Sequence, residues 1–142
     1  MVGTTMEVKV SPERLLHAYN SLFNDAKPSL VPLGVRTLIR NGMAEGAQHG
    51  TSTQARVQAG VPLLGKTGTS LLIQNDQIDY SRTQGWWIGL YPINDPEIAI
   101  MTFVRNGRGA TDAAPVGGKA LSAWLEFSGK ITDARFGMRD AR

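Results

Sequence analysis

The sequence predicts an α+β fold in which helices flank an antiparallel sheet of about three strands. Stretches with apolar residues at helical spacing come first and last in the chain, and stretches rich in β-branched and aromatic residues lie between them. Such a segregated order is typical of α+β proteins, whereas alternating helices and strands would predict a parallel sheet. With 142 residues, the chain has the length of a single domain over 1–142.

Two helices are predicted before the strands. Ser11 is a suitable N-cap for a helix that runs to Phe23, with proline at its first helical position. A second helix is predicted from about Leu30 to Glu45, because apolar residues recur on one face and the next residue is a glycine that can end it. Residues 46–60 are small and polar, which predicts a loop.

Three strands and a last helix are predicted after this loop. The first strand lies in Leu64–Leu72, and the polar residues 75–81 are interpreted as its connection to the second strand, Gly85–Tyr91. The third strand, Glu97–Arg105, follows a short Asn-Asp-Pro turn, which favours an antiparallel hairpin. The last helix is predicted over Asp112–Phe127, with its first residue or the preceding threonine as the cap.

Composition narrows the class of protein. Hydrophobic residues make up 42% of the chain and charged residues 19%, which is an ordinary globular balance and argues against disorder. The net charge of +3 is a weak indication of nucleic-acid binding, because several of the basic residues lie in the segment Lys130–Arg142. We therefore expect no nucleic acid as a partner.

Several cofactors and attachments are not expected. The chain has no cysteine, so a disulfide or a thiolate metal site is excluded, and we expect neither a metal nor another cofactor. Residues 1–5 lack the basic and apolar regions of a signal peptide. No run approaches the roughly 20 apolar residues of a membrane span.

The strongest functional signal is a lysine with hydroxyl residues between glycines, Gly65–Ser70. Gly60–Thr67 matches the phosphate-loop spacing G-x-x-x-x-G-K-[ST]. That loop requires a helix that begins at the lysine, so that N–H groups face the phosphates. The residues after Lys66 predict a strand instead, and nucleotide binding is the less favoured interpretation.

The other interpretation places the lysine on a strand. Lys66, Thr67 and Gly68 resemble the K-T-G element of penicillin-binding transpeptidases and active-site serine β-lactamases. An ammonium and a hydroxyl on an edge strand can hold a carboxylate by charge-assisted hydrogen bonds. The resemblance implies that Lys66 and Thr67 bind the substrate carboxylate and that Gly68 gives the ligand clearance. It also implies that the backbone N–H of Thr69 supplies half of an oxyanion hole, with a further polar contact from its side chain.

More of the chain resembles the transpeptidases, over about residues 10–125. The matching stretches follow the family order: a [ST]-P-x-x-L-x-x-A-Y helix, a G-M then G-T segment, a G-W-[FW]-x-G strand, and the stretch before the final helix. In this chain they are Ser11–Tyr19, Gly42-Met43 with Gly50-Thr51, Gly85–Gly89 and Asn106–Pro115. The resemblance implies a partial penicillin-binding transpeptidase or β-lactamase-like fold, followed by a polar tail over 128–142.

Two further motifs of this family are not found in the chain. None of its eight serines has a lysine three residues later or an asparagine two residues later. Acyl transfer by this family needs a serine activated by a neighbouring base, so we expect the chain alone to form no acyl-enzyme. We interpret it as the C-terminal portion of a transpeptidase domain, with the N-terminal half as a possible partner.

The resemblance also implies ligands and a location. The intact enzyme would cross-link peptidoglycan by serine acyl transfer, with a stem peptide or a β-lactam as ligand. It would work outside the cytoplasmic membrane, in the periplasm or at the bacterial cell surface. Two alternatives remain: a fragment of a serine β-lactamase, and a non-catalytic fragment that binds cell wall or a partner protein.

Four aromatic or basic side chains near these motifs have simpler interpretations. Trp86 and Trp87 alternate on a strand, which predicts that one is in the core and the other lines the groove. His17 and His49 are interpreted as surface residues rather than as bases or metal ligands.

Overall fold

A computed structural model describes residues 10–24, 29–58, 60–74 and 77–131 of the chain. The expectations for the first five residues, for the connection at 75–76 and for most of the tail lie outside the described residues. The elements, in chain order, are α1 (Pro12–Phe23), α2 (Leu33–Gln48), a short 3-10 helix (Thr51–Ala55), β1 (Leu64–Gln74), β2 (Gln77–Tyr91), β3 (Ile98–Arg105), a π-helical turn (Gly109–Ala113) and α3 (Ala114–Phe127).

The three strands form one antiparallel sheet in the order β1-β2-β3. In this register Gly68 of β1 lies opposite Trp86 of β2, which lies opposite Phe103 of β3. The predicted α+β class and the three antiparallel strands are confirmed.

Helices cover both faces of the sheet. Trp87 of β2 is buried and packs with Leu121 of α3. The next residue, Ile88, is also buried but packs with Phe23 of α1 and Met43 of α2. Because successive residues of a strand point to opposite faces, α3 covers one face while α1 and α2 cover the other.

The first helix agrees with the sequence prediction, and the second differs at both ends. The Ser11 hydroxyl accepts the backbone N–H of Arg14 at 3.2 Å, as an N-cap does. The second helix begins at Leu33 rather than Leu30, because Pro32 disfavours helical backbone at the residue before it. Gly46 does not end this helix, which continues to Gln48.

Gly46 has a packing role instead of ending α2. A Cβ atom built on Gly46 would lie 3.2 Å from the carbonyl oxygen of Gly65 in β1. A larger residue would make a tight contact there, and the two backbones would have to move apart by a few tenths of an ångström. The glycine that suggested a helix end is the point at which α2 approaches β1 closely.

The predicted polar connection between the first two strands is wrong for residues 77–81, which belong to β2. Leu71 pairs with Thr83, but the next residue, Leu72, pairs with Asp79. Residues 80–82 thus bulge out of β2 without a partner in β1. We call these three residues together with Asp79, residues 79–82, the β2 bulge.

Polar contacts within the β2 bulge explain why its sequence resembles a turn. The Asp79 carboxylate accepts the Ser81 N–H at 2.9 Å, the Ser81 hydroxyl at 2.5 Å and the Arg82 Nε–H at 2.6 Å. These bonds lower the pKa of Asp79 to about 2, with the Ser81 hydroxyl as the largest cause. The polar residues satisfy one another inside an extended hairpin.

Within the described ranges, no helix is both long and apolar enough to cross a membrane.

Candidate active site

The residues predicted from the sequence lie together in the middle of β1. Among the described strands, β1 pairs only with β2, so its other edge is not covered by a strand there. Lys66 and Gly68 point to one face of the sheet, and Thr67 and Thr69 point to the other. The strand therefore carries an ammonium on one face and, on the other, the exposed hydroxyl of Thr69 and the buried hydroxyl of Thr67.

Lys66 lies against an aromatic side chain on the neighbouring strand. Its Nζ atom is 5.7 Å from the ring centroid of Trp86, which is within the range of a cation–π contact. The Nζ atom also donates to the backbone carbonyl of Thr67. Partial burial lowers the pKa of Lys66 below its ordinary value of 10.5, because desolvation disfavours the charged form.

Trp86 lies directly over Gly68. A Cβ atom on Gly68 would be 1.9 Å from Cε2 of the indole, so only glycine fits beneath this ring. Trp86 is half-buried, whereas Trp87 is buried in the core under α3. The prediction that one tryptophan is in the core is confirmed for Trp87, and the prediction that the other lines the groove stays a prediction for Trp86.

Thr67 contacts a residue from the segment after α2. Its side chain is almost fully buried, and its hydroxyl oxygen lies 2.5 Å from the hydroxyl oxygen of Thr51. Sequence reasoning gave Thr51 no role in the site, although the Gly50-Thr51 pair belongs to the family resemblance. The contact joins residues 16 positions apart, which no local pattern predicts.

Thr69 contacts the segment between β3 and α3. Its side chain is exposed, and its hydroxyl accepts the backbone N–H of Gly109 at 3.0 Å. Gly109 is buried against β1, where a Cβ atom would lie 2.3 Å from the carbonyl oxygen of Gly68. Gly109 was not singled out from the sequence; the only signal was its place among glycines before the last helix.

Asp112 does not cap the last helix as predicted. That helix begins at Ala114, and its N-cap residue makes no side-chain capping bond. The Asp112 carboxylate instead reaches backwards and accepts the Arg108 backbone N–H at 2.7 Å and the Thr111 hydroxyl at 2.9 Å. The bond from Arg108 is the main reason that the pKa of Asp112 is lowered.

Several other candidate chemistries have less support in the structure. Lys66 lies within β1, so the phosphate-loop interpretation lacks the helix that must begin there. His17 and His49 are exposed, as predicted, but each has a glutamate four residues earlier that sequence reasoning overlooked. In the part of the chain that the structure describes, no three His, Cys, Asp or Glu side chains form a metal-binding group.

The arrangement is suited to holding an anion beside a strand. Lys66 provides a positive charge in a partly desolvated setting, where charge-assisted hydrogen bonds are strong. Thr69 adds an exposed hydroxyl on the same edge strand. No described strand pairs with the other edge of β1, so a peptide could add there as a further strand.

Comparison with known proteins gives a family match. The model for the penicillin binding protein transpeptidase domain matches residues 1–122. No curated protein matches the chain significantly.

Solved structures with the same fold include three transpeptidase proteins. The transpeptidase domain of Burkholderia pseudomallei penicillin-binding protein 3 has a TM-score of 0.66 and 22% identity over 84% of this chain and 43% of its own. Pseudomonas aeruginosa PBP2, solved with WCK 5153, has a TM-score of 0.53 and 24% identity over 77% of this chain and 23% of its own. The D,D-transpeptidase domain of an Eggerthella lenta peptidoglycan glycosyltransferase has a TM-score of 0.50 and 25% identity over 69% of this chain and 21% of its own. The chain spans less than half the length of each.

Proposed function

Because this chain belongs to the penicillin-binding protein transpeptidase domain family, we propose that its Lys66–Thr69 segment binds the carboxylate of a peptidoglycan stem peptide or of a β-lactam. In the intact protein, this binding would position the substrate for DD-transpeptidation by serine acyl transfer. The chain contributes the binding and oxyanion strand, and the nucleophile comes from residues outside it.

The observation that carries this proposal is the placement of Lys66, Thr67 and Thr69 together on β1, which is an edge strand of the described sheet. Lys66 supplies charge, and its contact with Trp86 restricts where the ammonium sits. A carboxylate at this edge would gain an ion pair and a hydroxyl hydrogen bond together. We assign these contacts to binding, because acyl transfer by this family uses a serine activated by a neighbouring base.

The proposed catalytic contribution of the chain is electrostatic. The backbone N–H of Thr69 would donate to the oxyanion that develops on the attacked carbonyl, whereas the space beside Gly68 is occupied by Trp86. Such a donor is typically worth a few kcal/mol of transition-state stabilisation. The second donor of an oxyanion hole is usually the backbone N–H of the nucleophilic serine itself. The second donor and the attacking serine would therefore come from the same residue.

We also propose a partner and a location. The N-terminal half of a transpeptidase domain would pack on apolar side chains that this chain leaves exposed at and before the start of α2, namely Leu30, Leu33 and Leu38. Large apolar side chains with such high exposure are candidates for contact with a partner. The intact protein would act outside the cytoplasmic membrane, as transpeptidase domains of this family do.

Two alternatives differ in their outcome with ligands. A serine β-lactamase fragment would share the K-T-G strand, but the family match is to the transpeptidase domain. A non-catalytic binding fragment would hold a peptide carboxylate without a role in acyl transfer. A catalytic role and a purely binding role of the strand can be distinguished by adding the complementary half of the domain. Only the catalytic role leads to acylation by a β-lactam.

The test is an NMR titration of the chain with a tripeptide that ends in D-alanyl-D-alanine. We expect saturable amide shifts at 66–69, and loss of binding by about tenfold or more for Lys66→Met, since a charged hydrogen bond is removed. The same tripeptide with an amidated C-terminus is the matched control and should not bind. Equal binding of the acid and the amide would contradict the proposal.

A further inference from the structure

One segment outside β1 is tied to the site strand by several contacts. Residues 107–113 connect β3 to α3, and we call them the β3–α3 segment. Gly107 donates its N–H to the Thr83 carbonyl at 3.3 Å and accepts the Thr83 hydroxyl at 2.9 Å. Gly109 donates to the Thr69 hydroxyl at 3.0 Å. The segment is therefore anchored to both β1 and β2.

No side chain separates this segment from the sheet. A Cβ atom on Gly85 would lie 2.3 Å from the carbonyl carbon of Arg108, and one on Gly109 would lie 2.3 Å from the carbonyl oxygen of Gly68. Backbone thus packs directly on backbone, which only glycine permits at both positions. A change in the backbone conformation of the segment therefore moves β1 directly, because no side chain lies between the two backbones at these positions.

Asp112 holds the shape of the segment. Its carboxylate accepts the Arg108 N–H at 2.7 Å and the Thr111 hydroxyl at 2.9 Å. The backbone N–H groups of Asp112 and Ala113 both donate to the Arg108 carbonyl at 3.1 Å. The carboxylate therefore binds the N–H of Arg108, and the two backbone N–H groups bind the carbonyl of the same residue, which shares a peptide unit with the Gly109 N–H. Single π-type turns of this kind occur often at functional sites.

The hydrogen bond from Gly109 fixes what the Thr69 hydroxyl can do. A threonine hydroxyl has one proton to donate and can accept at its oxygen. Because the Gly109 N–H occupies an acceptor position, the hydroxyl proton stays available to a ligand. Thr69 is exposed, so this proton is accessible from the solvent side of the strand.

We propose that Asp112 is a positioning residue for Thr69: it holds the β3–α3 segment so that Gly109 orients the Thr69 hydroxyl as a donor to the bound carboxylate. This inference rests on the proposed carboxylate binding at Lys66–Thr69. Asp112 acts through the backbone of the segment and does not touch the ligand. Its loss lowers affinity for the carboxylate while the fold and the contact with Lys66 remain.

The test is a double-mutant cycle in the full chain, with the D-alanyl-D-alanine tripeptide as the ligand. Asp112→Ala and Thr69→Val each weaken binding about three- to tenfold, the size of one hydrogen bond. The double variant is no weaker than Thr69→Val alone, because both changes remove the same contact. Asp112→Asn keeps an oxygen that can accept the Arg108 N–H and restores most of the affinity. Glu13→Gln, on α1, is the control and has no effect.

Hydrogen exchange at the Gly109 amide gives a second result that needs no ligand. Asp112→Ala speeds this exchange about tenfold or more while amides of the β2–β3 pairing keep their rates, since only the segment opens. If the unmodified chain does not bind the tripeptide, the proposed function fails and the Gly109 exchange decides the positioning role alone. Unchanged Gly109 exchange in Asp112→Ala, or additive losses in the cycle, would overturn the inference.

Discussion

Each proposed ligand-binding side chain on β1 is held by a residue distant in sequence. The Lys66 ammonium lies over Trp86, and the Thr67 and Thr69 hydroxyls meet Thr51 and Gly109. These contacts restrict side-chain rotation before any ligand arrives. A site that is ordered in advance loses less entropy on binding.

The charge on Lys66 makes the proposed binding depend on pH. Burial lowers the pKa of Lys66 below 10.5, and a carboxylate ligand binds only the protonated form strongly. Affinity for the tripeptide is therefore expected to fall as the pH rises through this lowered pKa. The Cε and Hε resonances of Lys66, followed by NMR, give the midpoint directly.

The same burial has a consequence for folding. The unfolded chain binds this proton more tightly than the folded chain, so the contribution of Lys66 to stability increases as the pH rises from the lowered pKa towards 10.5. Ligand binding should shift the midpoint upwards. A midpoint at or above 10.5 in the free chain would contradict the burial of the ammonium, and Lys66→Met provides the control without this titration.

Thr51→Val tests the hydrogen bond between the Thr51 hydroxyl and the buried Thr67 hydroxyl. Valine has nearly the same shape but leaves the Thr67 hydroxyl, which is almost fully buried, without this partner. We expect the free energy of unfolding to fall by about 1–3 kcal/mol, the cost of an unsatisfied buried polar group. Denaturant unfolding with a fixed m-value measures it.

Two further variants make this result specific. Thr53→Val removes an exposed hydroxyl that donates only to the Gly50 carbonyl, and should cost less than Thr51→Val. Removing both hydroxyls, Thr51→Val with Thr67→Val, should recover part of the loss because no buried group is then left unpaired. Equal losses of unfolding free energy for Thr51→Val and Thr53→Val would show that the bond between Thr51 and Thr67 stabilises the fold no more than an exposed hydrogen bond does.

At the scale of elements, the β1–β2 hairpin has two parts with different registers. From Leu64 to Leu71 the pairing with β2 is continuous, and this part carries the site. Beyond it, the β2 bulge shifts the register before the strands pair again. In β1 the register shift follows Leu71, two residues beyond Thr69. The shift therefore separates the site from the outer part of the hairpin.

Acid should open the β2 bulge. The pKa of Asp79 is lowered to about 2, mainly by the Ser81 hydroxyl. Its stabilising contribution is complete above the ordinary value of 3.8 and is lost as the pH falls through about 2. The amide resonance of Ser81 is expected to shift with a midpoint near 2, and Asp79→Asn should abolish this step. A midpoint near 3.8 would show that the carboxylate is not held by these bonds.

The whole molecule shows which features a sequence can predict and which need the fold. Strand periodicity and aromatic content were enough to predict the sheet and the burial of one of its two adjacent tryptophans, which is Trp87. The polar residues of the β2 bulge were misread because their partners lie within the bulge. Gly46 was misread as a helix end because its reason is contact with β1.

The candidate site also combines features that the sequence predicts with features that depend on the fold. A short motif with flanking family resemblance located Lys66–Thr69 on one strand. The residues that hold its side chains, Thr51 and Gly109, lie 16 and 40 positions away from their partners. Such contacts arise only when α2 and the β3–α3 segment pack on β1, so no local pattern contains them.

The central claim is that Lys66–Thr69 forms the carboxylate-binding wall of a transpeptidase site whose nucleophile lies outside this chain. An NMR titration of the chain with benzylpenicillin tests it most directly, because one set of spectra reports both where the ligand binds and whether it is released. We predict saturable shifts centred on residues 66–69 that disappear completely after dialysis. Resonances of an adduct that survive dialysis, or shifts centred away from β1, would contradict the claim.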